Sequence, residues 1–143
     1  MPVLLDTGIL LRLPNRNDPR HIDVRRAVRH LQNSGERLVT TLQNVSEFWN
    51  VCTRPASARG GLGLTFEQAE KRLRLLERIA TVLREPPDLY DAWRRTILAH
   101  CVLGVQVHDA KLVAAMELHR IHRILTLNAA DFARYSKISV ITP

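Results

Sequence analysis

Short apolar runs alternate along this chain with longer stretches in which apolar positions recur every three or four residues, the pattern of buried strands between amphipathic helices. Pro2 to Leu5 is such a run, and it ends at Asp6-Thr7, so a strand delivers an acid to its own carboxyl end. A first helical turn is expected through Leu13. After the breaker from Pro14 to Pro19, Val24, Val28 and Leu31 mark a helical stripe that stops at Asn33-Ser34-Gly35. Arg37 to Thr41 reads as a second strand. Leu42 to Thr53 reads as a helix with Val45, Trp49 and Cys52 on one face. Glu47 lies about 200° from Val45 at 100° per residue, off that stripe.

Arg54 to Gly63 is a loop, and its Gly60-Gly61-Leu62-Gly63 run is expected to be a flexible surface segment. Thr65 and Gln68 have capping-box spacing and open a helix striped by Phe66, Ala69, Leu73 and Leu76. Ala80 to Arg84 reads as a third strand or an extended connector. Asp88 caps a helix carrying Leu89, Trp93 and Ile97, which Gly104 ends. Asp109 begins another, with Val113, Met116 and Arg120 on one side. Ile121 to Leu127 reads as a strand, Asn128 caps a short turn containing Asp131, and Ile138 to Ile141 closes the sheet. Strands alternating with helices imply an α/β protein with parallel pairing and helices on both faces.

Composition narrows the class. At 143 residues with 45% apolar content, the chain has the size of a single domain, residues 1–143, with a core that needs no staples. Cys52 and Cys101 both fall in apolar helical patterns and read as small core residues in a reducing compartment. The start, MPVLLDTGILLRL, has no basic lead-in and is cut by Asp6 after three apolar residues, so it reads as neither a signal peptide nor a membrane span. A cytoplasmic protein is expected. The net charge is +7, and only three of the 21 basic residues are lysine: Lys71, Lys111 and Lys137. Arginine forks match phosphate oxygens, which points to nucleic acid.

The candidate chemistry rests on Asp6, Glu47, Asp109 and Asp131. Each sits where a strand gives way to its helix or just inside that helix. In an open α/β sheet, ligands bind beyond the carboxyl ends of the strands, so acids at those ends become neighbours. Crowded carboxylates call for a divalent cation, and an oxygen-only set suits Mg²⁺ or Mn²⁺ rather than Zn²⁺. Taken singly, Asp109 could be a helix cap and Asp131 a turn residue. Asp6, ending a buried strand, has little structural purpose. His119 and His122 read as a solvated helix-end pair rather than a zinc site. The glycine run lacks the Lys-Ser/Thr of a phosphate-binding loop.

The segments VLLDTGILLRL, TTLQNVSEFWNVCTRP, GGLGLTFEQA, HDAKLVAAM and RILTLNAADFARY, in that order over the whole length, resemble the PIN-domain family and, within it, the VapC-type toxin ribonucleases of bacterial toxin–antitoxin modules. The resemblance implies a three-layer α/β/α sandwich with a central, mainly parallel sheet. It implies an endoribonuclease dependent on Mg²⁺ or Mn²⁺, a homodimer, and silencing by a cognate antitoxin. The family's acids fall on Asp6, Glu47, Asp109 and Asp131, with Thr7, Thr126 and Asn128 as supporting polar residues. Asn128 departs from the pattern, since many relatives carry an acid there. The implied products are a 5′-phosphate and a 3′-hydroxyl. The competing expectation is a PIN-fold module that binds RNA or protein without cutting it.

Overall fold

The computed structural model describes residues 1–143. The elements are β1 (Pro2–Leu5), α1 (Thr7–Arg12), α2 (His21–Asn33), β2 (Arg37–Thr41), α3 (Leu42–Thr53), α4 (Phe66–Glu77), β3 (Thr81–Leu83), α5 (Leu89–Ala99), α6 (Gln106–Leu118), β4 (Arg123–Leu125), a 3₁₀ turn (Ala129–Phe132) and β5 (Ser139–Ile141). The strands form one sheet in the order β3-β2-β1-β4-β5. Every pairing is parallel, with Leu4 opposite both Val39 and Ile124.

Alternation along the strands divides the core into two layers. Val3 and Leu5 of β1 face Ile9 and Leu10 of α1, Val24 and Val28 of α2, Phe48 of α3 and Leu76 of α4. Leu4, between them, faces Val113 and Met116 of α6, with Phe132 and Tyr135. Strands buried on both sides read as unbroken apolar runs, which is why β1 is PVLL. The result is a three-layer α/β/α sandwich. The chain winds outward from β1 to β3, then returns across β1 to place β4 on the other side. That reversal makes the β1/β4 boundary the topological switch point, where crevices form in such sheets.

Three apolar stripes differ from the expected ones. In α3 the buried residues are Asn44, Phe48 and Cys52, while Val45 and Trp49 are half-buried. The helix is rotated by about one position because Asn44, a polar residue, belongs to the buried face. In α5 the buried residues are Ala92 and Thr96, with Trp93 and Ile97 at the flanks of the stripe. Phe66 heads α4 but is 68% exposed, resting its edge on Trp49 at a ring distance of 5.4 Å. The Thr65–Gln68 capping box is present.

Cys101 is not a core residue. It lies beyond the end of α5 at Ala99, is exposed, and has φ 51°. The β4 strand is shorter than the Ile121 to Leu127 run, because only Arg123 to Leu125 pair with β1. Nor is the glycine loop free. Leu62 N–H donates to Val51 O at 3.0 Å, Gly63 N–H to Arg54 O at 2.8 Å and Leu64 N–H to Cys52 O at 2.8 Å, so the loop satisfies the last carbonyls of α3. Gly61 is required there, since a Cβ would meet the carbonyl oxygens of Pro55 and Arg54.

Candidate active site

Asp6 follows β1 directly at the switch point. Its N–H donates to Leu125 O at 3.1 Å, which locks it to the end of β4. It is also the N-cap of α1: Oδ1 accepts from Thr7 N–H at 2.8 Å, and its carbonyl accepts from Ile9 and Leu10. Asp6 therefore has a structural purpose that its position in the sequence conceals. Its other oxygen, Oδ2, accepts from Thr126 Oγ1 at 2.6 Å. Thr126 is fully buried, and the same hydroxyl accepts from Asn128 N–H at 3.0 Å.

The first turns of α3 supply the next wall. Asn44 is 1% exposed; its Nδ2 donates to Asp6 Oδ1 at 3.3 Å and to Thr7 Oγ1 at 3.1 Å, while its Oδ1 accepts from Thr41 Oγ1 at 2.6 Å. Glu47 is exposed, but its carboxylate is held at both ends. Thr7 Oγ1 donates to Oε2 at 2.7 Å and Gln43 Nε2 to Oε1 at 3.3 Å. Gln43 also reaches the first turn of α6, donating to His108 O at 2.9 Å. Asn44 and Gln43 were absent from the expected set. Their signal was Asn44 four and eight residues before Phe48 and Cys52, a polar residue in the buried stripe.

Asp109 does not begin α6. It is the fourth residue of a helix that starts at Gln106, behind a Val105 cap, so it caps nothing. Asp131 is the third residue of the 3₁₀ turn and is exposed, and the Asn128 side chain caps nothing.

Electrostatics join the four acids. Asp6 is raised above the usual carboxylate range, first by burial, against the lowering effect of the Thr126 and Thr7 hydrogen bonds, with Glu47 and Asp131 pushing it up. Asp109 is pushed up to about 6 by burial, then by Asp131, Asp6 and Glu47, with His108 opposing. Burial and like charges both disfavour the ionised form. No lysine or arginine is among the groups that set either value.

This donor set suits a hard divalent ion: carboxylate oxygens, with an uncompensated negative charge between them. No three acid, histidine or cysteine groups stand at direct-ligand spacing around one point. A cleft of about 860 Å³ along α4 is lined by Arg16, Lys71, Arg72, Arg74 and Arg78 together with Glu67 and Glu70, and by none of the four acids.

The PIN domain model matches residues 3–138. No curated protein matches the chain in sequence. Among solved structures, VapBC2 from Rickettsia felis, bound to a DNA fragment from its promoter, is similar with a TM-score of 0.74 at 11% identity, over 100% of this chain and 99% of that one. VapC20 from Mycobacterium tuberculosis, a sarcin-ricin loop cleaving toxin, gives 0.66 at 19% identity, over 93% and 95% of the two chains. VapBC-1 from nontypeable Haemophilus influenzae gives 0.67 at 18% identity, over 99% and 98%. Such identities speak to the fold, whereas the model match spans nearly the whole chain. The chain belongs to the PIN domain family.

Proposed function

We propose that residues 1–143 form a single metal-dependent endoribonuclease domain, the toxin of a toxin–antitoxin pair of the VapC type, acting in the cytoplasm. The observation that carries this reading is the convergence of Asp6, Glu47, Asp109 and Asp131 at the switch point, with two of them held above their ordinary range. It is supported in kind by VapC20 of M. tuberculosis, a sarcin-ricin loop cleaving toxin of similar fold.

Asp6, Asp109 and Asp131, with Glu47, would hold Mg²⁺ or Mn²⁺, directly or through water. Such an ion, when bound, supplies charge neutralisation at the scissile phosphate and activation of water. The chain's own residues do the positioning. Thr126, Thr7 and Asn44 fix both oxygens of Asp6, leaving little freedom to its carboxylate. Thr7 and Gln43 hold Glu47 as an acceptor, which orients an attacking water through its Oε atoms. Asn128 supports the site through the backbone, its N–H anchoring the Thr126 hydroxyl. Hydrolysis leaves a 5′-phosphate and a 3′-hydroxyl.

The partners follow the same reading. RNA is the substrate, a cognate antitoxin the inhibitor and a second copy the dimer partner. Several structures with this fold are toxin–antitoxin complexes. The outer face of α4 leaves Phe66 and Leu75 exposed among charges of both signs, a partly apolar surface suited to a protein partner. No helix is long and apolar enough to cross a membrane, and both cysteines are free.

The test is incubation with a panel of structured RNAs and Mg²⁺, with EDTA as control. Metal-dependent cuts bearing 5′-phosphates support the reading. RNA binding with no cleavage at any metal concentration replaces it with the non-cleaving module.

Asn44→Ala is expected to lower kcat by about 10- to 100-fold, the usual cost of losing a group that orients a metal-binding side chain. It should also lower stability by about 1–3 kcal/mol, because Thr41 and Thr7 lose buried partners. Rates at saturating Mg²⁺ and a melting curve separate the two effects. Full activity in a folded variant would show that Asp6 needs no help from Asn44.

A further inference from the structure

A cavity of about 350 Å³ is walled by α5, α6 and the segment from Tyr135 to Ile138, and none of the four acids lines it. Its size is that of a small-ligand site. Two of the acids lead to it along the backbone. Val113 stands four residues after Asp109 on α6, Tyr135 stands four residues after Asp131, and both line the cavity. Residues four apart on a helix share a face about 6 Å apart along the axis, so the cavity wall begins one turn from Asp109.

The wall chemistry is uneven. Tyr135 is 4% exposed, and its hydroxyl makes no hydrogen bond to the protein, nor is it a sealed, unpartnered atom. A tyrosine held this deeply ordinarily finds a partner for its O–H. Here the free space beside it is the cavity. The His100 ring stands edge-on to Tyr135 at 4.9 Å, adding a second planar group. Arg95 and Lys137 also line the cavity, and neither is engaged in a salt bridge. Glu117 is its one carboxylate. Arg134 stiffens this corner, donating through Nη2 to Gln106 Oε1 at 2.6 Å.

We propose that this cavity receives one unstacked base of the RNA, from a nucleotide flanking the cut; the inference rests on the nuclease reading above. Single-stranded RNA is read in this way, with bases splayed out against aromatic rings and bonded along their edges. The Tyr135 hydroxyl bonds the base edge. Arg95 and Lys137 hold adjoining phosphates. Glu117 can only accept, so it bonds a donor on the base edge, an exocyclic amino group or a ring N–H.

The experiment maps cut sites of the wild-type protein and of Tyr135→Phe on a randomised single-stranded RNA pool with Mg²⁺. Tyr135→Phe keeps the ring and its burial. The expected result is a base preference at one flanking position by the wild type. The variant should lose about 3- to 10-fold of that preference and show a raised KM. Arg95→Gln, on the surface, is the second variant should Tyr135→Phe melt early, and it should raise KM in the same pool. Wild-type cleavage with preferences and KM unaltered in a folded variant overturns the base site and leaves the nuclease standing. No cleavage of any RNA by the wild type overturns both.

Discussion

Asp6→Asn is expected to reduce kcat/KM on RNA by about 10³-fold or more, because several kcal/mol of charge stabilisation vanish with its negative charge. The substitution is unusually clean. Asparagine caps helices as well as aspartate does, so the bond from Thr7 N–H to Oδ1 and the start of α1 persist. On the other side, the Thr126 hydroxyl donates to Oδ2 at present, and it can turn to accept from an amide instead. Shape and cap survive while the charge goes. Initial rates at saturating Mg²⁺, together with a melting curve, check this. Activity within tenfold of wild type from a preparation free of other nucleases would remove Asp6 from the centre of the site.

The second large effect concerns stability, and its sign follows from Asp109. Its carboxyl titrates near 3.8 in the unfolded chain and is pushed up to about 6 in the fold. The folded state then holds the proton more tightly. Its contribution is fully present below about pH 3.8 and is lost as pH rises through 6. Asp6 shifts in the same direction. Metal-free protein should therefore become less stable between about pH 4 and pH 6.5. Asp109→Asn should be more stable than wild type at pH 7 by about 1–2 kcal/mol, after allowance for screening of a half-open side chain. Glu36 works oppositely: paired with Arg123 and the N-terminus, it is held low, and its contribution is lost as pH falls below about 4.5. The difference between wild type and Asp109→Asn cancels Glu36. Urea titrations in EDTA from pH 4 to 8 measure that difference, and a gap that stays flat with pH would dissolve the acid cluster. Saturating Mg²⁺ should erase the gap, since the ion replaces the proton as the neutralising charge.

Much of the fold was legible because its local rules are strong. PVLL and RLVTT are apolar runs bounded by clear signals, and β1 and β2 occupy those residues. The capping box marked the start of α4 because two side chains and two backbone groups must sit at fixed spacing. Asp6 was legible as a strand-end residue, whereas Asp109 lies in α6, which follows α5 and not a strand. What periodicity could not resolve was the rotation of α3. Apolar counting placed Val45 and Trp49 inward, whereas the buried Asn44 shifts the face to Phe48. A polar side chain that is buried to serve a site looks like a surface residue until its partners are known. Asp109 was misplaced for a related reason: α6 opens with Gln106-Val107-His108, which has no cap signature, so the acid was taken as the start. Cys101 shows the opposite failure, an apolar-looking segment that leaves the helix two residues earlier and exposes the thiol.

The bond from Thr126 to Asp6 joins residues 120 apart, and the backbone bond from Asp6 to Leu125 nearly as many. Asp6, Glu47 and Asp109 all leave the ribosome before either tie can form. During synthesis, then, a growing chain carries three of its four acids with no β4 beside them and no hydroxyl to fix the first. The arrangement is complete only once β4 has been made, whatever the order in which the other elements fold.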